Sequence, residues 1–234
     1  MLTVPIPSAT APIPAGLDGI GICSSSSCCR TTLSPPSVCW ESLSTSYAND
    51  LVVLLARCSD CTVRDSSGLS YKLRATSQGE ISNSPAISEY YALATPRLSF
   101  DNVSVSCDVC DGPFFQVFAI HGYDVKMFDP AAPIFVDCSR ADDNSTPCHA
   151  SITTSSADLV FAGVTTFAAP CTSPSGWTRL GGGSFFASDA ISRPLGATSL
   201  SYSCIHYVDN GREAFATGIM IIDAIPLSSG PTTR

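Results

Sequence analysis

Between residues 51 and 56 the chain is apolar without a break, as expected of a central strand whose two faces are both covered. On either side the pattern changes. Residues 37–47 and 99–106 alternate apolar and polar side chains, as strands with one wet face do. The same signals predict strands at 19–23, 38–47, 51–58, 71–75, 87–94, 103–107 and 114–121 in the first half. In the second half they predict strands at 134–138, 150–154, 159–167, 177–180, 199–206 and 214–224. Asp65-Ser66-Ser67-Gly68 is a turn signal, and Gly181-Gly182-Gly183 marks a bulge or a close backbone approach. No segment sustains a 3.6-residue apolar period with caps, so the class is all-β.

The pattern occurs twice. Asn49-Asp50-Leu51-Val52-Val53-Leu54-Leu55-Ala56 returns as Ala157-Asp158-Leu159-Val160-Phe161-Ala162-Gly163, and Ser67-Gly68 returns as Ser175-Gly176; Asp50 to Asp158 and Gly68 to Gly176 are both shifts of 108. Further on, 103–107 resembles 200–204 and 115–120 resembles 215–220, at shifts of 97 and 100. The reading is a tandem duplication of one β module of about 100 residues. It divides the chain into a Pro-rich extended segment 1–16, a first β-sandwich 17–128, a second 134–227 and a polar tail 228–234. Asp129-Pro130-Ala131-Ala132-Pro133 is the stiff junction. In the N-terminal segment, Pro5, Pro7, Pro12 and Pro14 forbid helix while Leu2, Val4 and Ile6 alternate. Such a stretch is either a loose tail or a strand laid in a neighbouring subunit's groove.

Composition adjusts this picture in three ways. Charged residues are only 14% of the chain against about 25% in average soluble proteins, so Ser, Thr, Asn and backbone must cover the surface. Net charge is −8 with two lysines, Lys72 and Lys126, which disfavours nucleic acid and anionic membranes as partners. Twelve cysteines, an even number, point to cystines and an extracellular, virion-surface or hyperthermophile setting, with reduced buried thiols as the alternative. Met1 to Pro7 lacks the positive and apolar regions of a signal peptide, and no apolar run is long enough to insert in a membrane.

The succession NDLVVLLA, TVRDSSGLSYKLRA, ISEYYALA, VSVSCD and FFQVFAIHG, with ADLVFAGV and SPSGWTRL in the second copy, resembles a β-sandwich module of secreted archaeal and bacterial surface proteins and phage tail proteins. The resemblance implies two tandem antiparallel β-sandwiches, jelly-roll or Ig-like, over residues 17–225. The cysteines depart from it, being dense here and sparse there. The β modules, the extended N-terminus and the sequons are also similar to archaeal surface filaments whose β-sandwich subunits receive a donated N-terminal strand.

Cys58, Cys61, Cys107 and Cys110 form two CxxC pairs, a spacing open to zinc, to redox chemistry or to disulfides. The indices of Cys58 with Cys110 and of Cys61 with Cys107 have the same sum, as opposed residues on antiparallel strands do. Cys171 and Cys204 stand where Cys61 and Cys107 stand in the first copy, so a bridge between them would be inherited. Cys23 with Cys39 and Cys138 with Cys148 are local candidates. Cys28 and Cys29 would form a vicinal bond or pair elsewhere. Asn102 and Asn144 head N-glycosylation sequons. The acidic groups Asp137/Asp142/Asp143 and Asp108/Asp111 are either calcium ligands or solvated turns. His121, His149 and His206 lie near strand ends, without any G-x-S-x-G, H-E-x-x-H or P-loop pattern around them. The doublets Tyr90/Tyr91, Phe114/Phe115 and Phe185/Phe186 each offer one outward ring to a glycan or subunit, unless both are buried.

These residues favour a non-enzymatic, disulfide-rich structural subunit of an extracellular filament or cell-surface appendage, needing no cofactor, no catalytic group and no metal. Its main partner is itself, through Leu2, Val4 and Ile6. The rival readings are a virion surface or tail protein and a carbohydrate-binding adhesive module that takes surface glycans.

Overall fold

The computed structural model describes residues 14–23, 26–30, 37–77, 86–108, 114–138, 148–166, 171–183, 186–193, 196–204, 207–209, 212–214 and 217–228. The first half contributes β1 (Leu17–Cys23), β2 (Cys29–Arg30), β3 (Ser37–Leu43), β4 (Asp50–Ala56), β5 (Cys61–Arg64), β6 (Lys72–Ser77), β7 (Ile87–Ala94), β8 (Asp101–Cys107) and β9 (Phe115–Ile120). The second contributes β10 (Ile134–Asp137), β11 (Cys148–Thr154), β12 (Asp158–Thr166), β13 (Cys171–Thr172), β14 (Thr178–Gly182), β15 (Phe186–Arg193), β16 (Gly196–Cys204), β17 (Tyr207–Asp209), β18 (Arg212–Ala214) and β19 (Thr217–Pro226). The helical content among the described residues is one 3₁₀ turn, Ser26–Cys28.

The strands form two inner five-stranded sheets, β1-β9-β4-β7-β6 and β10-β19-β12-β15-β14, two outer sheets, β2-β3-β8-β5 and β11-β16-β13, and a two-stranded ribbon, β17-β18. All the pairings are antiparallel. The strand orders of the halves are the same once β1, β3, β4, β5, β6, β7, β8 and β9 are matched with β10, β11, β12, β13, β14, β15, β16 and β19. In each half the chain changes sheet at nearly every step. That is the connectivity of a jelly roll; an Ig fold keeps successive hairpin strands in one sheet.

Each sandwich has its own core. Val52, Leu54, Tyr90, Val117 and Ala119 of the first inner sheet meet Cys39, Leu43, Val103 and Val105 of its outer sheet. Val160, Ala162, Met220 and Ile222 meet Ala150, Ile152, Leu200 and Tyr202 in the second. A third core lies between the inner sheets, where Leu51, Val53, Leu55, Phe118 and Ile120 pack on Leu159, Phe161, Phe186, Ile219 and Ile221. The unbroken run at 51–56 therefore has a physical cause. Every residue of β4 is buried, with Leu51, Val53 and Leu55 in the third core and Val52, Leu54 and Ala56 in the first. β12 is buried throughout as well.

The two inner sheets stack about a pseudo-two-fold axis. Ile22 of β1 packs on Gly181 of β14, while Arg74 of β6 reaches the carbonyl of Ala132 just before β10. At the centre Leu55 meets Gly163, its own counterpart in the repeat, where an added Cβ would stand 2.8 Å from Leu55 Cδ1 and 2.9 Å from Phe186 Cζ. A residue touching its own equivalent lies on the axis. The repeated turn also holds, since Gly68 and Gly176 have φ of +76° and +81°, the left-handed region where glycine is free of strain.

One alignment within the repeat is corrected. Leu51 pairs with Ile120 and Leu159 with Ile225, so 115–120 corresponds to 220–225 and not to 215–220. Pairing register, not residue likeness, fixes which residues occupy equivalent places.

Candidate functional site

Chemistry in this molecule collects at the seam between the sandwiches, at the strand-end cystines and at one end of the stack. At the seam, Arg74 sits in a bulge of the edge strand β6, which turns its side chain across the seam. Its Nε donates to Asp223 Oδ2 at 2.6 Å and its Nη2 donates to Asp223 Oδ1 at 3.0 Å and to Ala132 O at 3.0 Å. Glu89 Oε2 lies 3.6 Å from Nε, and the guanidinium stacks 3.7 Å from the Phe128 ring, which Tyr91 meets edge-on. Glu89 and Asp223 are fully buried. Burial, and then the neighbouring Asp223 charge, hold the Glu89 carboxyl well above the usual range.

The axis shows how unusual this cluster is. Its bulge recurs in β14, where Leu180 takes the place of Arg74. By register Phe118 takes the place of Asp223 and Ser188 that of Glu89. One side of the seam is therefore ionic and the other apolar. With Glu89 and Asp223 buried and Arg74 partly exposed at the sheet edge, the ionic side orients the two halves on each other.

Cystines cross-link neighbouring strands within an outer sheet and also tie inner strands to outer ones. Cys61 on β5 and Cys107 on β8 are directly opposed and bonded, and Cys138 after β10 is bonded to Cys148 on β11. The expected Cys23–Cys39 bridge is replaced by two, Cys23–Cys28 and Cys29–Cys39. Register explains the difference: Cys39 stands where Cys148 stands in the second half, and Cys29 is its cross-strand partner on β2. The connection from inner to outer sheet is direct in the second half and relayed through Cys28 and Cys29 in the first. Successive side chains diverge, so these two bond to different partners and not to each other. Cys58 and Cys171 are also disulfide-bonded. Cys171 lies opposite Cys204 in register; the side chain of Cys204 and all of Cys110 lie outside the described residues. Among the described residues, sulfurs converge as Cys23/Cys28/Cys29 and Cys58/Cys61/Cys107. Engaged in cystines, they offer a metal no thiolate.

The backbone of the cystine strands is gripped differently in each half. The Tyr90 hydroxyl donates to Cys61 O and accepts from Cys61 N, both at 3.1 Å. At the equivalent place Asp189 holds Arg179 at 3.1 Å, and Arg179 Nη2 donates to Cys171 O at 2.9 Å.

At one end of the stack a pair of carboxylates is duplicated. Asp18 accepts from the backbone N–H of Ser46 and Tyr47 beside the buried Asp50, and Asp129 accepts from Ser155 beside the buried Asp158. Burial above all, opposed by a hydrogen bond and reinforced by the neighbouring acid, pushes Asp50 up to about 6. The same balance pushes Asp158 up to about 6. His121 Nδ1 is hydrogen-bonded to Asp50 Oδ1 at 2.9 Å, with Tyr47 stacked on its ring. Pro226 takes the place of His121 in the second half, so this His–Asp contact is not duplicated.

The remaining sequence candidates fall as follows. Leu2, Val4, Ile6, Asn144, Asp111, Asp142, Asp143, Phe185 and His206 lie outside the described residues. Asp108 and Asp137 are exposed, apart from the paired acids. His149 is exposed and bonded to Ser201 Oγ at 2.7 Å. The aromatic doublets do not form an outward strip: Tyr90, Phe114, Phe115 and Phe186 are buried, and Tyr91 is half-buried against Phe128. Both faces of the inner sheets are covered, so Tyr90, Phe114, Phe115 and Phe186 do not reach solvent. Among the described residues the exposed aromatic rings are Trp40 and Phe100 instead. Asn102 is exposed on β8, opposite Ser42 and one diagonal step from Trp40. The seam cluster had no sequence signal, because Arg74, Glu89 and Asp223 belong to different strands and halves. No family model, curated protein or solved structure matches the chain.

Proposed function

We propose that the chain is a non-enzymatic structural subunit of an extracellular assembly, a surface filament or appendage. Its copies join through the N-terminal strand carrying Leu2, Val4 and Ile6. The observation that carries this reading is the third core. The sandwiches bury their inner sheets against each other as an interior, so the chain is one cystine-fastened block, a form suited to bearing load. The cystines place it in an oxidising, extracellular environment.

One end of the stack supports the same reading. The chain enters β1 through Gly16, whose carbonyl accepts from His121 N, at the end where Ser228 N donates to Gly122 O. Leu93, opposite Leu51 near the start of β4, Phe100, just before β8, and Val125, after β9, are exposed toward that end. Strand donation from here would join copies head to tail and complete an open sheet edge. The jelly-roll connectivity, frequent in capsid and lectin domains, favours a virion surface protein as the second reading.

Deletion of residues 1–16 tests the mechanism. Electron micrographs of the full-length chain are expected to show filaments, and the deletion to give monomers by light scattering. Filaments from the deleted chain would exclude strand donation. Monomers from both would exclude self-assembly, and closed particles would favour the virion reading.

A further inference from the structure

The outer face of the first sandwich carries a feature that neither the seam nor polymerisation uses. A groove of about 430 Å³ is lined by Ser27, Cys28, Trp40, Glu41, Ser42 and Asn102. Asn102 begins the sequon Asn102-Val103-Ser104 and its side chain is exposed at the groove's edge. Ser42 is its cross-strand neighbour, and Trp40, 39% exposed, is the next outward residue along β3. Diagonal neighbours of this kind stand roughly 7–8 Å apart, within reach of a single sugar ring. We propose that Asn102 is N-glycosylated and that the first sugars of its glycan lie in this groove against the Trp40 indole.

The chemistry is complete with one co-reactant, a lipid-diphosphate-linked oligosaccharide. The Asn102 carboxamide nitrogen bonds to C1 of the first sugar and loses a proton, and the lipid diphosphate leaves. No electrons are transferred. The acceptor is used before β8 pairs, because in the fold Ser104 Oγ donates to Arg64 O at 3.2 Å and Asn102 N donates to Ser66 Oγ at 2.9 Å. After pairing, Asn102 still faces outward, so a glycan added to the unfolded chain fits the finished sheet. The apolar face of a pyranose matches the indole, while Ser27, Ser42 and Glu41 offer partners for its hydroxyls.

The test is secretion of the full chain from a eukaryotic host, followed by glycopeptide mass spectrometry and thermal unfolding. The expected result is a glycan on the Asn102 peptide. Its enzymatic removal should lower Tm by about 2–4 °C with Trp40 present and leave Tm unchanged in Trp40→Ala. If Asn102→Gln fails to secrete, Ser104→Ala removes the acceptor with Asn102 in place. An unmodified Asn102 peptide overturns the proposal, and so does an equal Tm change in both backgrounds. Binding of free oligosaccharide by the unglycosylated protein, lost in Trp40→Ala, would overturn it in favour of a lectin groove.

Discussion

Replacing Arg74 with alanine is expected to destabilise the chain by about 3–5 kcal/mol, the cost of stranding buried charge without its partner. Asp223 would remain fully buried without the cation that pairs with it, beside the buried Glu89, and the Ala132 carbonyl would be short of a donor. The repeat supplies the control. On the other side of the axis the same places hold Leu180, Ser188 and Phe118. The triple variant Arg74→Leu, Glu89→Ser, Asp223→Phe copies that apolar side and should recover most of the lost stability. Urea unfolding of both variants reads the result. A harmless Arg74→Ala would mean that water reaches the seam. A triple variant no better than the single one would mean that the halves do not stack about the axis described.

Stability should also rise in mild acid. Asp50 and Asp158 are each pushed up to about 6, and Glu89 is held well above the carboxylate range. A carboxyl raised by folding binds its proton more tightly in the native state. Its contribution is therefore fully present below the unfolded value near 4 and is lost as pH rises through the folded value. Asp129, held low chiefly by hydrogen bonds from Ser155 and Ala131 against burial, acts oppositely and weakens the fold only at still lower pH. Comparing pH 4.5 with pH 7.5, the net gain is on the order of 3 kcal/mol after allowance for solvent screening, or a Tm higher by about 5–10 °C. Asp50→Asn with Asp158→Asn should flatten the profile. A Tm that falls on acidification would show these carboxylates to be ionised and solvated.

The parts of the fold legible in the sequence are those encoded by local pattern. The run at 51–56 announces a strand covered twice, and Gly68 with Gly176 announces a repeated turn because each position needs a left-handed backbone. Cys61 opposite Cys107 could be read from index symmetry, since antiparallel pairing imposes it. What covers the second face of β4 could not be read, because nothing local in an apolar strand names its partner. The same holds for the relay through Cys28 and Cys29, which depends on where a two-residue strand, β2, docks. The alignment of β9 with β19 misled for a related reason. Phe115 and Phe215 look alike, but the hydrogen-bond ladder places Met220 at the Phe115 position.

If the third core is a true interior, the halves cannot melt separately. Each would have to expose a sheet lined by Leu51, Val53 and Phe118 or by Leu159, Phe161 and Ile221. Differential scanning calorimetry of the oxidised full-length chain examines this directly. One transition is expected, with calorimetric and van't Hoff enthalpies equal. Two resolved transitions, each with about half the total enthalpy, would contradict the account.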